Sequence, residues 1–188
     1  MLQTLRNAWK IPDLRKKILY TIFLLIVFRF GSVIPVPWID TAVLEEWLNG
    51  AQGSTIFDLL DTFSGGAFSS ATIFAMSISP YINSSIIMQL LCVAIPTFER
   101  WSKEGEEGRE KITKVTRYLT VVLAAIQAYG LYVTLHNQGA IMAVKGVPAF
   151  VVGLTIILAF VAGTAFLMWL GEQITGRGIG NGISMLIF

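Results

Sequence analysis

"SISPYINSSIIMQLL", Ser77 to Leu91, runs through one of the most apolar parts of the chain, yet it carries Pro80, Asn83, Ser84, Ser85 and Gln89. A helix surrounded by lipid has no partner for such groups, and an unpaired polar group in hydrocarbon is costly. At about 100° per residue, Ile78, Ile82, Ser85 and Gln89 fall on one narrow stripe of a helix. Ser79 and Asn83 lie about 100° away, and Ser77 and Ser84 lie on another side. Polar groups on several faces mean that this segment is wrapped by other helices or faces water for part of its length. Small serines also let neighbouring helices approach closely.

The rest of the chain fits a membrane bundle. Its 188 residues are 54% hydrophobic and 14% charged, with a mean hydropathy of +0.67, whereas soluble domains carry about 25% charged residues. A net charge of +2 gives no basis for a nucleic-acid surface. With one cysteine, Cys92, the chain holds neither an internal disulfide nor a cysteine metal site, and Cys92 reads as a small buried hydrophobe. The first apolar run follows the basic "RNAWKIPDLRKK" and has no small-residue cleavage site, so it is expected to stay as an anchor.

Four stretches come near the ~20 apolar residues of a crossing helix. They run 18–34, 73–95, 118–135 and 150–170, and a fifth begins at 183–188 with "GISMLIF". Six residues do not make a span, so the chain is expected to be the front part of a longer polypeptide. Orientation follows from Lys and Arg. Segments 1–17, 96–117 and 171–182 hold twelve of them; segments 35–72 and 136–149 hold only Lys145. The N-terminus is therefore expected to be cytoplasmic. "PVPWID" ends the first span, since two prolines enforce an extended exit. "STIFDLLDTFSGG" then predicts a short helix over about 54–66, with Ser54 as N-cap and Gly65–Gly66 as stop. Too short to cross, it either lies at the outer interface or re-enters the protein. The loop "ERWSKEGEEGREKITKVTR" reads as a solvated hairpin or as a docking surface for a soluble partner.

Catalytic chemistry finds no residues: no nucleophile–base pair, carboxylate pair or metal cluster lies within the spans, and no cofactor or metal is expected. The lone His136 sits at an outer span end. Arg29 is the one clear intramembrane charge, placed to snorkel or to pair with a neighbouring helix. "GRGIGNG" follows a membrane helix and lacks the Lys-Ser/Thr of a phosphate loop, so it reads as a turn. Depth is more informative. Ile78 and Ile82 lie near mid-membrane while Ser85 and Gln89 lie toward the cytoplasm, a pattern that fits a wet funnel closed by an apolar constriction. Ile183 and Ile187 repeat the spacing. A small-solute secondary transporter, with a helix broken at Pro80, is the competing reading.

"FSGGAFSSATIFAMSISPYINSSIIMQLL", "KEGEEGREKITKVTRY", "TAFLMWLGEQITGRGIGNGISMLIF" and "FRFGSVIPVPWID" closely resemble the SecY family, the central subunits of bacterial protein-conducting Sec translocons. The resemblance covers essentially the whole chain. It implies an all-α, polytopic transmembrane bundle of ten spans in two pseudo-symmetric halves, of which this chain supplies the first four and the start of the fifth. By motif position, Ile78, Ile82, Ile183 and Ile187 are this half's share of a hydrophobic pore ring. Ile56, Phe57, Asp58, Leu59, Leu60, Asp61, Thr62, Phe63, Ser64, Gly65 and Gly66 correspond to a plug helix that re-enters and blocks the closed pore. Asn83, Ile86 and Gln89 line a lateral gate for signal sequences. Implied partners are SecE and SecG, the SecA ATPase, the ribosome, translocating polypeptides, membrane lipids and the remaining half of the channel, with no nucleic acid bound directly. The implied location is the bacterial plasma membrane, and no enzymatic activity is implied. Asn83 is bulkier than the small polar residue common in the family, and Met185–Leu186 replace isoleucines.

Overall fold

The structure is a computed structural model that describes residues 11–50, 66–142 and 146–187. The expected plug helix, apart from Gly66, lies outside the described residues.

Helix α1 (Pro12–Gly31) opens on a proline, which has no N–H to leave unpaired, and places Asp13 in its first turn and Arg29 in its last, both favourable to the helix dipole. Ser32 closes it through N–H donation to the Phe28 carbonyl at 3.0 Å. The chain leaves along Pro35–Pro37 and meets the segment before the next long helix. The Val36 N–H donates to the Ala71 carbonyl and the Ile73 N–H to the Ile34 carbonyl, at 3.0 and 3.1 Å. The short helix α2 (Thr41–Gly50) is capped by Asp40, whose carboxylate accepts the Ala42 N–H at 3.0 Å.

Residues 66–78 run as turns, and only at Ser79 does α3 (Ser79–Ala94) begin. Pro80 therefore stands in the first turn, where it starts a helix rather than breaking one. Pro96 likewise opens α4 (Pro96–Lys103), which is bent by 101° from α3. The segment expected as a loop over 96–117 is mostly helical. It comprises α4 and the beginning of α5 (Glu106–Asn137), whose 32 residues start with Glu106 and Glu107 at the positive end of the dipole. Helix α6 (Ala149–Arg177) follows, and α7 (Gly182–Ile187) turns back on it. Among the described residues, α5 and α6 are each long and apolar enough to cross a membrane, and the bent pair α3–α4 makes a third only if taken together. The stretches read as spans at 18–34 and 73–95 are only partly helical, because α1 stops at Gly31 and α3 starts at Ser79.

Helix α6 is the centre of the bundle and touches α1, α3, α5 and α7. One buried cluster joins Ala128 and Leu135 of α5 to Val152, Ile156 and Phe160 of α6 and to Val36, Ile39, Phe68 and Ala75 of the connections. A second joins Leu24 of α1 to Phe74, Ile78, Leu167, Leu170, Ile174 and Leu186. Phe74, 1% exposed, stacks between Phe28 and Phe166, with ring centroids 5.8 and 6.1 Å away. Beside it the Ile73 carbonyl lies against Gly163, where any Cβ would overlap it. Apolar helices gain little from the hydrophobic effect in lipid, so such close packing is what holds them.

Gly163→Val in the full-length protein should cost about 1–3 kcal/mol through overpacking. Gly176→Ala, where a new Cβ meets nothing within 4 Å, should leave thermal unfolding in detergent unchanged or raise its midpoint. Comparing the two melting curves checks this.

Candidate functional site

The polar residues of α3 divide into distinct environments. Ser84 is fully buried, and its hydroxyl donates to the Pro80 carbonyl at 2.8 Å, so it is satisfied within its own helix. The Gln89 amide donates to the Ser85 hydroxyl at 3.4 Å on the exposed side. Asn83 is exposed and shares a cavity of about 170 Å³ with Ser77, Ser79, Ile82 and Ile187. Ile82 and Ile187, far apart in sequence, thus come together on α3 and α7.

The other two expected ring residues face elsewhere. Ile78, 3% exposed, precedes the first turn of α3 and belongs to the cluster with Phe74, Leu167 and Ile174. The stripe of Ile78 and Ile82 assumed an unbroken helix; with α3 starting at Ser79, Ile78 turns toward α6. Ile183 is half-buried and packs on the same cluster beside Gly171. Of the expected gate residues, Asn83 borders this cavity and Ile86 is 49% exposed. Gln89 borders a larger cavity of about 650 Å³ between α3, α4 and α5, together with Ser85, Met88, Cys92, Lys103 and Thr116. Cys92 is half-buried at that wall rather than fully enclosed.

The position of α7 depends on residues that sequence reading passed over. The "GRGIGNG" turn is held at three points. The Ile179 N–H donates to the Thr21 hydroxyl of α1 at 3.2 Å, the Gly182 N–H to the Thr175 hydroxyl at 2.9 Å, and the Ile183 N–H to the Asn181 carboxamide at 3.1 Å. Asn181 is an N-cap immediately before an apolar run, a signal the sequence did contain. The bond from Thr21 spans 158 residues and left no local trace. At Gly182 the backbones of α6 and α7 come so close that a Cβ would overlap the Gly171 carbonyl. Across the bundle, Arg117 of α5 donates to Glu172 of α6 at 2.8 Å, and the Tyr20 hydroxyl of α1 to Gln173 at 3.3 Å.

These features define a polytopic helical membrane protein. The chain belongs to the SecY family, whose model matches residues 72–188. It is 47% identical over 192 residues to the protein translocase subunit SecY of Bacillus subtilis, with all of this chain and 43% of that relative covered. It is 51% identical over 176 residues to the SecY subunit of Escherichia coli K12, covering 94% of this chain and 40% of that relative. The chain thus spans less than half the length of the curated relatives it matches. In fold it is similar to Sec61 in the canine ribosome–channel complex from the endoplasmic reticulum, with a TM-score of 0.64 at 23% identity, over 92% of this chain and 35% of that one. A SecY structure concerned with the plug domain gives 0.60 at 22% identity, over 91% and 34%.

The environments of Ser84 and Asn83 make a direct prediction. Ser84→Leu, forced into a packed interface, should destabilise the protein by about 1–3 kcal/mol. Asn83→Leu, at an exposed position on the cavity wall, should stay within about 0.5 kcal/mol of the native protein, as read by thermal unfolding in detergent.

Proposed function

We propose that this chain forms the N-terminal half of a protein-conducting channel that passes unfolded secretory proteins across the bacterial plasma membrane and releases membrane segments sideways into lipid. The observation that carries the reading is the cavity shared by Ile82, Asn83 and Ile187, in which branched apolar side chains from two helices meet beside polar ones. Branched aliphatic groups close a narrow path by excluding water and part around a passing chain without binding it. Ile82 and Ile187, which line one cavity, are this half's constriction. Ile78 and Ile183 complete the ring when α3 and α7 move against α6.

The exposed flank of α3 at Asn83, Ile86 and Gln89 is the boundary of the lateral gate, and segment 56–66 is the plug. The excess of Lys and Arg in segments 1–17 and 96–117 supports a cytoplasmic N-terminus. The partners are those of a translocon: SecE, SecG, the SecA ATPase and the ribosome, with the energy for movement supplied by SecA or by translation. The ribosome–channel complex in which the similar Sec61 structure was seen supports the last of these.

The test uses the full-length protein with single cysteines at 78, 82, 183 or 187 in a Cys92→Ser background and a secretory chain stalled in transit. Positions 82 and 187 should crosslink to the stalled chain most strongly, with weaker products from 78 and 183. Crosslinking at none of the four contradicts the pore-ring assignment.

A further inference from the structure

We propose that Thr21 of α1 is a positioning residue for the constriction: it clamps the 178–182 turn and so sets where α7 holds Ile187. The inference rests on the channel reading and adds to it a residue of a helix that lines none of the cavity between Ile82 and Ile187. Thr21 is polar yet only 4% exposed, and its hydroxyl bonds in both directions. It donates to the Lys17 carbonyl at 2.9 Å, one turn back, and accepts the Ile179 N–H at 3.2 Å. Valine has the same shape and can do neither. The turn is seated so closely that a Cβ on Gly178 would lie 2.6 Å from the Thr21 hydroxyl and 2.6 Å from the Ile174 carbonyl. Leu24, on the same face of α1, shares a buried cluster with Ile174 and with Leu186 of α7.

From the turn the constraint passes straight into α7. The Gly182 N–H donates to the Thr175 hydroxyl, which itself donates to the Gly171 carbonyl, both at 2.9 Å. Helix α7 has six residues, Gly182–Ile187, about 9 Å at 1.5 Å per residue. Ile187 therefore stands less than two turns from the clamp. A helix this short has no stability of its own and takes its place from its anchored start and its packing. Without the Thr21 hydroxyl, the Ile179 N–H loses that acceptor in a half-buried place, which is costly. The turn relieves the cost by moving off α1, and α7 moves with it.

The experiment uses the idle full-length protein in membrane vesicles, with Ile82→Cys and Ile187→Cys on a Cys92→Ser background. It follows the rate at which a short bifunctional thiol reagent joins positions 82 and 187. Thr21→Val should slow the joining roughly tenfold, about 1.4 kcal/mol, and raise ion leak through the idle channel. Thr21→Ser keeps the hydroxyl and should restore the joining to near the native rate. Thr120→Val removes another fully buried hydroxyl, one whose 2.7 Å bond to the Thr116 carbonyl stays within its own helix. It should leave the rate unchanged, which separates placement of α7 from a general loss of stability. Gly178→Ala pushes the turn away with Thr21 intact and should also slow the joining; it decides the matter if Thr21→Val does not fold. Native rates in both Thr21→Val and Gly178→Ala, or equal slowing by Thr120→Val, would overturn the proposal and leave the channel reading standing. No joining even with Thr21 in place would overturn the channel reading and the proposal with it.

Discussion

The Ile73 carbonyl lies so close to Gly163 of α6 that no Cβ fits between them, and the placement of α3 follows from that contact. The turn segment 66–78 is pressed onto α6 there, with Phe74 filling the space between Phe28 and Phe166. Ala71 and Ser77 take left-handed backbone, at φ 46° and 52°, a conformation that costs a residue with a side chain about 1–2 kcal/mol. Burial of Phe74, Ala75 and Ile78 around these positions offsets that strain. Because the segment ends at this anchor, α3 begins at Ser79 and presents Ile82 outward. The second close approach, Gly182 against Gly171, does the same for α7 and brings Ile187 to the same cavity. Two glycine contacts on one helix therefore set the geometry of the site.

Much of this was legible in the sequence. Composition and hydropathy imply the helical membrane bundle, and the polar residues of 77–91 imply a helix that is not simply lipid-facing. Both follow from the cost of burying unpaired polar groups, which acts locally and leaves a local pattern. The extent of the helices was less legible. Apolar residues 73–78 read as helix because hydropathy does not distinguish a buried turn from a buried helix, and charged residues 96–117 read as loop because solvated helix and solvated loop share a composition. Ile78 was assigned to one stripe with Ile82 on the assumption of an unbroken helix. Its burial against α6 goes with the contact at Gly163, 85 positions further along the chain. The Thr21–Ile179 bond is likewise a product of tertiary packing.

The polar residues of α3 serve different ends although they are neighbours. Ser84 returns its hydroxyl to its own helix and permits close packing, while Asn83, one position earlier, borders the cavity with Ile187. Gln89 and Ser85 line the larger space between α3, α4 and α5. A helix that carries packing on one side and a polar boundary on the other suits the wall of the proposed channel. Its neighbours α5 and α6 pack on each other and are joined by the Arg117–Glu172 ion pair.

The central claim is that Ile82 and Ile187 face one another across a path that a passing chain occupies. In the full-length protein with Ile82→Cys and Ile187→Cys on a Cys92→Ser background, a short bifunctional thiol reagent should join the two positions readily when the channel is idle. A stalled secretory chain should suppress the reaction. Equal crosslinking with and without the chain, or none in the idle protein, would contradict the account.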